Sequence, residues 1–337
     1  MGAAPATGPW PDFFVAGAPK SGTTALHVAL ARHPQLYLSR VKEPKFFLTD
    51  GPPRTGGGPG DEKTWREQVW RESDYLRLFA DASEGMRRGE STPFYLYDPA
   101  AHRRIAARVP DAKLIVLLRD PVARAHSTWA HLWSAGLEPE GDFVRACDQE
   151  LRRAESGWAY FWRYLDLGRY GRQLARLYET FRREQVLVLR YLELRSAPEQ
   201  TLRRITDFLG VDSDVIHEVP TQNVTTHASD GPTNRLLSRA LRGTERVERR
   251  LHVPFLHGLN QALARHLQRE QRPRTPLGAD QRAALIPTIA DDVARLEALT
   301  GESFASWVDP NRTQHPGLAH SGPIGTARVS IDRPIRD

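Results

Sequence analysis

A short run of small, polar and basic residues, 19–24, has the composition of a phosphate-binding loop. It reads Pro-Lys-Ser-Gly-Thr-Thr and so places one ammonium group, three hydroxyls and a glycine close together. The apolar residues 13–16 precede it, and the helix-forming segment 25–33 follows it. A glycine-containing turn between a strand and a helix presents backbone N–H groups to an anion. The pattern predicts a strand, an anion-binding loop and a helix, although an ordinary strand-to-helix turn uses the same residue types.

The loop differs from the one that binds nucleoside triphosphates. Gly17 and Gly22 have the G-x-x-x-x-G spacing of that motif, but Thr23 stands where the motif requires lysine. The lysine of this loop, Lys20, lies two residues before the second glycine instead. A β,γ-phosphate with Mg²⁺ would therefore lack its principal cation, which argues against a kinase. A single terminal phosphate could be held by the ammonium and hydroxyl groups of Lys20, Ser21, Thr23 and Thr24.

A second anion site is predicted after the apolar run 113–118. Arg119 follows that run, Pro121 suits the first turn of a helix, and Ser127 comes about two turns later. A forked guanidinium and a hydroxyl in this arrangement can converge on one phosphate. Considered alone, Arg119 is more simply explained by an ion pair with Asp120. Beside the first loop, however, two anion sites suit a nucleotide with phosphates at both ends of its ribose.

Glu43 is the candidate proton acceptor. It lies between Lys42 and Lys45, and neighbouring cations favour an ionised carboxylate that can take up a proton. The chain has only five lysines, and three of them fall between residues 20 and 45, so this region concentrates compact ammonium groups. The simpler alternative is a solvated glutamate paired with these lysines. His126 is the rival base, although a histidine on a helix rich in Ala and Trp more often packs than catalyses.

These residues require a framework of alternating strands and helices. Apolar runs at 13–16, 113–118 and 186–189 alternate with segments of helical periodicity. Such alternation is typical of a parallel sheet covered by helices on both faces. The fold class is therefore predicted as α/β, a single domain with a central parallel sheet flanked by helices and a P-loop-like phosphate-binding loop after the first strand.

Four segments, in this order, resemble the sulfotransferases that use 3′-phosphoadenosine 5′-phosphosulfate (PAPS). They are FFVAGAPKSGTT at 13–24, VKEPKFF at 41–47, GESTPFYL at 89–96 and LIVLLRDPVARAHSTW at 114–129. The similarity is to the heparan-type and bacterial members and extends over roughly residues 12–310. It implies a sulfotransferase domain over 11–311 and transfer of a sulfo group from PAPS to a hydroxyl, or less commonly an amine. The acceptor would be a small molecule, a glycosylated natural product or a carbohydrate.

The resemblance also implies roles for single residues. Glu43 would be the catalytic base, and Lys20 would stabilise the leaving bisphosphate as well as bind PAPS with Ser21, Gly22, Thr23 and Thr24. Arg119 and Ser127 would bind the 3′-phosphate. Tyr191 would contact the adenine, although it could equally be a core aromatic at a strand end. The segment 223–235 is the candidate nucleotide-closing loop, with Arg235 as a further ligand.

The chain departs from the heparan-type pattern at one position. Ser91 follows the Gly-Glu pair of the third motif, where heparan-type enzymes have lysine. With one cation fewer, the acceptor need not be a polyanionic glycan. No metal is required by the chemistry, and the 12 His and the single Cys147 form no recognisable metal motif. The alternative function is a P-loop kinase or another nucleotide-binding protein.

Charge and composition set the remaining expectations. The 337 residues carry a net charge of +6, but residues 235–274 alone hold ten Arg against three Glu. A solvated basic face is favoured there over contact with an anionic acceptor or a membrane surface, and nucleic acid is not an expected partner. Without a long apolar run or a signal-peptide pattern, the protein is expected to be cytoplasmic. Residues 1–10 are predicted as a flexible leader, 51–60 as a mobile insertion bordering the acceptor opening, and 312–337 as a loose tail.

Overall fold

The computed structural model describes residues 10–220 and 276–310, together with the backbone of two short strands at 227–228 and 271–272. Three predicted features lie outside the described residues. They are Arg235, the proposed closing loop 223–235 apart from the strand backbone at 227–228, and the tail 312–337. The same holds for the basic segment 235–274 apart from the backbone of 271–272.

Within the described part of the chain, five parallel strands form the central sheet. Their order is β2-β3-β1-β4-β5. The strands are β1 Phe13–Gly17, β2 Leu36–Leu38, β3 Arg87–Ser91, β4 Lys113–Leu118 and β5 Val186–Arg190. The antiparallel pair of β6 His227–Ala228 and β7 Gln271–Arg272 is separate from this sheet. The predicted α/β class with a parallel sheet is confirmed.

Helices connect the strands and cover the sheet. In chain order they are α1 Thr23–Leu30, α2 Asp61–Arg66, α3 Glu72–Arg77, α4 Pro99–Arg108, α5 Pro121–Ser134, α6 Phe143–Asp148, α7 Glu150–Glu155, α8 Tyr170–Tyr178, α9 Tyr191–Ser196, α10 Pro198–Leu209, α11 Ala279–Leu285 and α12 Ala290–Thr300. None of the helices in the described ranges is both long enough and apolar enough to cross a membrane.

The two faces of the sheet are buried by alternate residues of the central strands. Phe14, Leu114 and Val116 belong to one apolar cluster, whereas Phe13 and Ile115 belong to the cluster on the opposite face. Burial on both faces explains why the central strands are continuous apolar runs. Helices therefore leave the ends of the strands, rather than their faces, accessible to a ligand.

β1 lies between β3 and β4, so the loops that follow these three strands meet at one edge of the sheet. The backbone of Ala18, at the start of the phosphate loop, donates to the carbonyl of Leu117 in β4 at 2.8 Å. In parallel α/β sheets, ligands bind outside the carboxyl ends of strands where the strand order reverses. This topology brings the two predicted anion sites together.

Candidate active site

The loop between β1 and α1 turns through two residues in the left-handed region. Lys20 has φ 66° and Gly22 has φ 88°. A Cβ atom on Gly22 would lie 2.8 Å from the ring of Tyr191, so this position requires glycine for conformation and for space. No side chain caps the start of α1. The backbone N–H groups of its first turn are therefore oriented to receive an anion.

The hydroxyl of Ser21 fits a ligand of this kind. Its side chain is fully buried within the loop. It lies near the hydroxyl of Tyr170, but neither oxygen makes a hydrogen bond of good geometry with the described residues. Burial of an unsatisfied hydroxyl is costly, and a phosphate oxygen bound in the loop would satisfy it. Burial also raises the pKa of Tyr170 to about 12, so this phenol remains a neutral hydrogen-bond donor.

Arg119 lies directly beside the phosphate loop. Its Nη1 donates to the carbonyl of Lys20 at 3.1 Å, and its guanidinium lies 5.2 Å from the ring centre of Tyr191. Burial lowers the pKa of Arg119 from its ordinary value, and the nearby Tyr191 opposes that shift. Tyr191 thus contacts both Gly22 and Arg119. Three residues predicted from separate segments meet at one place.

The loop after β4 is anchored by an arginine from the far end of the chain. Asp120 accepts from the backbone N–H of Ala123 at 2.9 Å and caps α5. Its carboxylate also pairs with Arg282 of α11 at 2.9 Å, and both side chains are buried. Asp120 thus forms an ion pair with Arg282, while the guanidinium of Arg119 donates to the phosphate loop.

Ser127 and His126 are both buried on α5. The ring of His126 packs against Trp129 and Phe143, with ring centres 5.5 and 5.1 Å away. Aromatic packing of this kind favours a structural role for the histidine over proton transfer. Ser127 lies on α5, which begins at Pro121, two residues after Arg119, and its role as a 3′-phosphate ligand stays a prediction.

Glu43 lies on a loop held against the end of β3. Its backbone N–H donates to the carbonyl of Ser91 at 3.0 Å, and its carboxylate accepts from Lys42 at 2.5 Å. The side chain remains partly exposed, so it can be reached by a substrate. Glu43 and Lys45 both have positive φ values, 61° and 59°. For residues other than glycine this conformation is strained and needs support from the surrounding structure.

A histidine connects this loop to the phosphate-binding helix. Nδ1 of His27, on α1, is 2.9 Å from the hydroxyl of Ser91, whose carbonyl holds Glu43. Burial and the nearby charge of Lys42 lower the pKa of His27 to about 4. The imidazole is therefore neutral near pH 7. At the position where heparan-type enzymes carry lysine, this chain has a hydroxyl bonded to a neutral ring.

A buried carboxylate supports the strained backbone around Glu43. Glu90 is fully buried and accepts from the hydroxyls of Thr92 at 2.7 Å, Tyr95 at 2.7 Å and Tyr75 at 2.8 Å. Burial raises the pKa of Glu90 to about 7, even though each of these hydrogen bonds favours the ionised form. The charge of Glu43 makes a smaller contribution to this rise.

Two of these hydroxyls transmit the support to the loop. The oxygen of Thr92 accepts from the backbone N–H of Lys45 at 3.3 Å, and that of Tyr95 accepts from the N–H of Phe47 at 3.3 Å. An ionised Glu90 has no proton to donate, so both hydroxyls must point to it and offer their oxygens to the loop. The carboxylate thereby fixes the direction of both chains of hydrogen bonds.

A partly open cavity lies beyond this loop. Its volume is ≈ 100 Å³, and its lining includes Lys45, Trp65, Phe94, Trp158, Tyr160 and Phe161. Arg54, from the predicted insertion 51–60, also lines it. The insertion is held at Gly58, whose N–H donates to the carboxylate of Asp61 at 2.6 Å. That this insertion borders the acceptor opening stays a prediction.

Within residues 10–220 and 276–310, no group of three or more His, Cys, Asp or Glu side chains is arranged to hold a metal ion. Cys147 is buried, and burial raises the pKa of its thiol well above the ordinary value.

The sequence model of the sulfotransferase family matches residues 11–214, which is more than half of the chain. The chain belongs to the sulfotransferase family. Among solved structures, a sulfotransferase from Alicyclobacillus acidocaldarius is 30% identical and superposes with a TM-score of 0.68. That match covers 89% of this chain and 99% of the other. The predicted family is confirmed, and the match supports a sulfotransferase enzyme.

Two curated relatives illustrate the range of the family. Heparan sulfate glucosamine 3-O-sulfotransferase 3A1 of Mus musculus is 30% identical over 201 residues, which are 60% of this chain and 46% of that protein. Membrane-associated sulfotransferase kil1 of Dictyostelium discoideum is 31% identical over 119 residues, 35% of this chain and 22% of that protein. The chain thus spans between about a fifth and about half of the length of such relatives.

In this sulfotransferase the predicted site residues fall into two groups. The phosphate loop, Arg119 and Tyr191 are in mutual contact, and Ser127 is on the adjoining helix. Glu43 is connected to α1 by hydrogen bonds. His27 on α1 bonds to the hydroxyl of Ser91, and the carbonyl of Ser91 accepts from the backbone N–H of Glu43. The residues that were not assigned a role from sequence are His27, Lys45, Glu90 and Arg282. Glu90 was within a recognised motif, but the hydroxyls that give it a role come from distant residues.

Proposed function

We propose that this member of the sulfotransferase family transfers a sulfo group from PAPS to a hydroxyl of a small-molecule, glycosylated or carbohydrate acceptor. The observation that carries the proposal is the hydrogen bond from Arg119 to the carbonyl of Lys20. It brings together two loops that each have the residue types of an anion site. A nucleotide with a sulfated 5′-phosphate and a separate 3′-phosphate has charges for both loops.

The residues would divide the binding of PAPS between them. Lys20, Ser21 and the first turn of α1 would hold the 5′-phosphosulfate, with Gly22, Thr23 and Thr24 forming the turn. Arg119 and Ser127 would hold the 3′-phosphate, with the ring of Tyr191 available to the adenine. Bound PAPS supplies the activated sulfo group, and the chain supplies orientation and charge.

Glu43 would act as the base in an in-line transfer. It would accept the proton of the acceptor hydroxyl as the new O–S bond forms. Lys20 would stabilise the negative charge that the breaking S–O bond leaves on the phosphate. The partial exposure of its carboxylate and the ion pair with Lys42 support this role.

Calorimetry with adenosine 3′,5′-bisphosphate, the nucleotide product, tests the proposal. We expect binding without Mg²⁺ and in preference to ATP with Mg²⁺. Lys20→Ala should weaken it by about tenfold or more, because a hydrogen bond to a charged group contributes about 1.5–3 kcal/mol. Lys63→Ala, which removes an exposed lysine paired with Glu67, is the matched control and should bind normally. Preference for ATP with Mg²⁺ would instead favour the kinase alternative.

A further inference from the structure

The cavity beside the Glu43 loop contains one cation in an unusual setting. Lys45 is 8% exposed, and none of the ion pairs in the described chain involves its ammonium group. The nearby carboxylates have other partners, since Glu43 pairs with Lys42 at 2.5 Å and Glu67 pairs with Lys63 at 3.7 Å. A largely buried lysine with no carboxylate within ion-pair distance of its ammonium is unusual, because proteins normally pair such a group.

The backbone fixes Lys45 in this position. Its N–H donates to Thr92 at 3.3 Å, its carbonyl accepts from Gln68 at 3.0 Å, and its φ of 59° is left-handed. Burial lowers the pKa of its ammonium, while the charge of Glu43 opposes that shift. The backbone of Lys45 is thus held by hydrogen bonds, and the one to Thr92 also supports the loop of the proposed base.

The other two cations of the cavity are differently placed. Arg54 is exposed to solvent. Arg163 donates to the hydroxyl of Tyr97 at 2.8 Å, and its guanidinium lies 5.2 Å from the ring centre of Tyr160. Both groups therefore have water or protein partners. Of the three basic residues that line the cavity, Lys45 is therefore the one best placed to bind an anionic ligand.

Aromatic residues make up a third of the cavity lining, and no carboxylate is among the lining residues. Trp65, Phe94, Trp158 and Phe161 present rings to a volume of ≈ 100 Å³. This volume is of the order of cavities that take up one benzene ring. A flat ring would gain apolar contact here, and an anion would gain the ammonium.

We propose that the acceptor class of this site is a hydroxylated aromatic acid, with its ring among Trp65, Phe94, Trp158 and Phe161 and its anionic group on the ammonium of Lys45. The inference rests on the proposed function only in that the ligand of this cavity is taken to be the sulfo-group acceptor. The recognition of an aromatic anion by the cavity stands separately from the nucleotide site.

An isosteric pair of probes tests the anion requirement on the unmodified protein. Calorimetry would compare 4-hydroxyphenylacetate with 4-hydroxyphenylacetamide, which have nearly the same size and differ in charge. We expect the carboxylate to bind about ten- to hundredfold more tightly, the range for a hydrogen bond to a charged group. Equal affinity, or tighter binding of the amide, would overturn the proposal.

Lys45→Met tests the assignment of the cation, with Lys63→Met as the matched control on the protein surface. Lys45→Met should lose the preference for the carboxylate while still binding the amide, and Lys63→Met should keep the preference. A retained preference in Lys45→Met would assign the anion to another group. Equal weakening of both probes would make Lys45 a structural residue. Either result contradicts the proposal, and if Lys45→Met does not fold, the probe pair on the unmodified protein decides.

Binding of adenosine 3′,5′-bisphosphate to the same samples separates the two claims. If this nucleotide binds and the probes are not distinguished, the acceptor class is wrong and the proposed function stands. If the carboxylate probe binds more tightly than the amide and the nucleotide does not bind, the proposed function is wrong, but the cavity still binds an aromatic anion.

Discussion

At the scale of single residues, the proposed role of Glu43 depends on its neighbours as well as on its own carboxylate. Its backbone is fixed by Ser91, its side chain is paired with Lys42, and part of it remains exposed. Glu43→Gln keeps the size of the side chain and removes the proton acceptor. We expect turnover of PAPS with a hydroxyl acceptor to fall about 10²- to 10⁴-fold, the usual loss for a general base.

Nucleotide affinity separates this effect from a structural one. Binding of adenosine 3′,5′-bisphosphate to Glu43→Gln should stay close to that of the unmodified protein, because no proposed nucleotide contact is removed. Glu67→Gln, which alters an exposed ion pair, is the control for rate and binding. Near-normal turnover in Glu43→Gln together with loss of turnover in His126→Ala would make the histidine the base.

Arg119 gives a second prediction at this scale. Arg119→Ala should lose most of the preference for adenosine 3′,5′-bisphosphate over adenosine 5′-phosphate, since the 3′-phosphate would have lost its guanidinium. Titration calorimetry of both nucleotides measures this preference. Arg40→Ala, which removes an exposed arginine paired with Asp81, should leave it unchanged. Unaltered discrimination in Arg119→Ala would exclude Arg119 as the 3′-phosphate ligand.

The chemistry of the loops could be predicted from sequence because it depends on residues close together in the chain. Lys20 and Gly22 lie in one turn, and Arg119 ends an apolar strand. The roles of Glu90 and Lys45 could not be predicted in this way. Glu90 is defined by hydroxyls on three other segments, and the isolation of Lys45 depends on which carboxylates have already found partners.

At the scale of elements, the sequence predicted the strands that are continuous apolar runs and missed two others. β1, β4 and β5 are apolar runs, and their positions were predicted closely. β2 has only three residues, and β3 reads Arg-Arg-Gly-Glu-Ser, which has no apolar pattern. β3 lacks an apolar pattern because its central residue packs directly against β1. A Cβ atom on Gly89 would lie 2.1 Å from the ring of Phe13. β3 carries glycine where a strand pattern would need a large side chain.

The backbone geometry of the phosphate loop predicts that replacing Gly22 lowers both stability and nucleotide affinity. Gly22→Ala must adopt φ 88° and displace the ring of Tyr191, so we expect a loss of about 1–3 kcal/mol in the free energy of unfolding. Affinity for adenosine 3′,5′-bisphosphate should fall as well. Gly210→Ala is the matched control because it has a similar φ of 73° with nothing within 4 Å of the added atom. It should lose about 1 kcal/mol and bind the nucleotide normally, as determined by urea unfolding and calorimetry. Equal effects of both substitutions on nucleotide affinity would contradict the role of the Gly22 turn.

At the scale of the whole molecule, Glu90 couples stability to pH. Its pKa is raised from 4.5 to about 7 in the folded protein, so between these pH values the folded state binds more protons than the unfolded state. Stability contributed by this group therefore falls as pH rises from about 4.5 to 7 and is constant above that range. His27 has the opposite effect, because its lowered pKa makes the unfolded state take up a proton below pH 6.5.

Glu90→Gln isolates the first contribution. We expect the free energy of unfolding of the unmodified protein, relative to Glu90→Gln, to decrease as pH is raised from 5 to 7.5. Urea unfolding of both proteins at several pH values measures this difference, and the titration of His27 cancels in it. A difference that is independent of pH, or that increases with pH, would contradict the raised pKa of Glu90.

The most direct test of the account is transfer by the whole chain. The purified protein would be incubated with PAPS and a metabolite extract, and mass spectrometry would search for products heavier by one sulfo group alongside release of adenosine 3′,5′-bisphosphate. We expect such products in equal amount to the released nucleotide, their loss in Lys20→Ala and their retention in Lys63→Ala. Nucleotide release no faster than in buffer, or undiminished transfer by Lys20→Ala, would contradict the account.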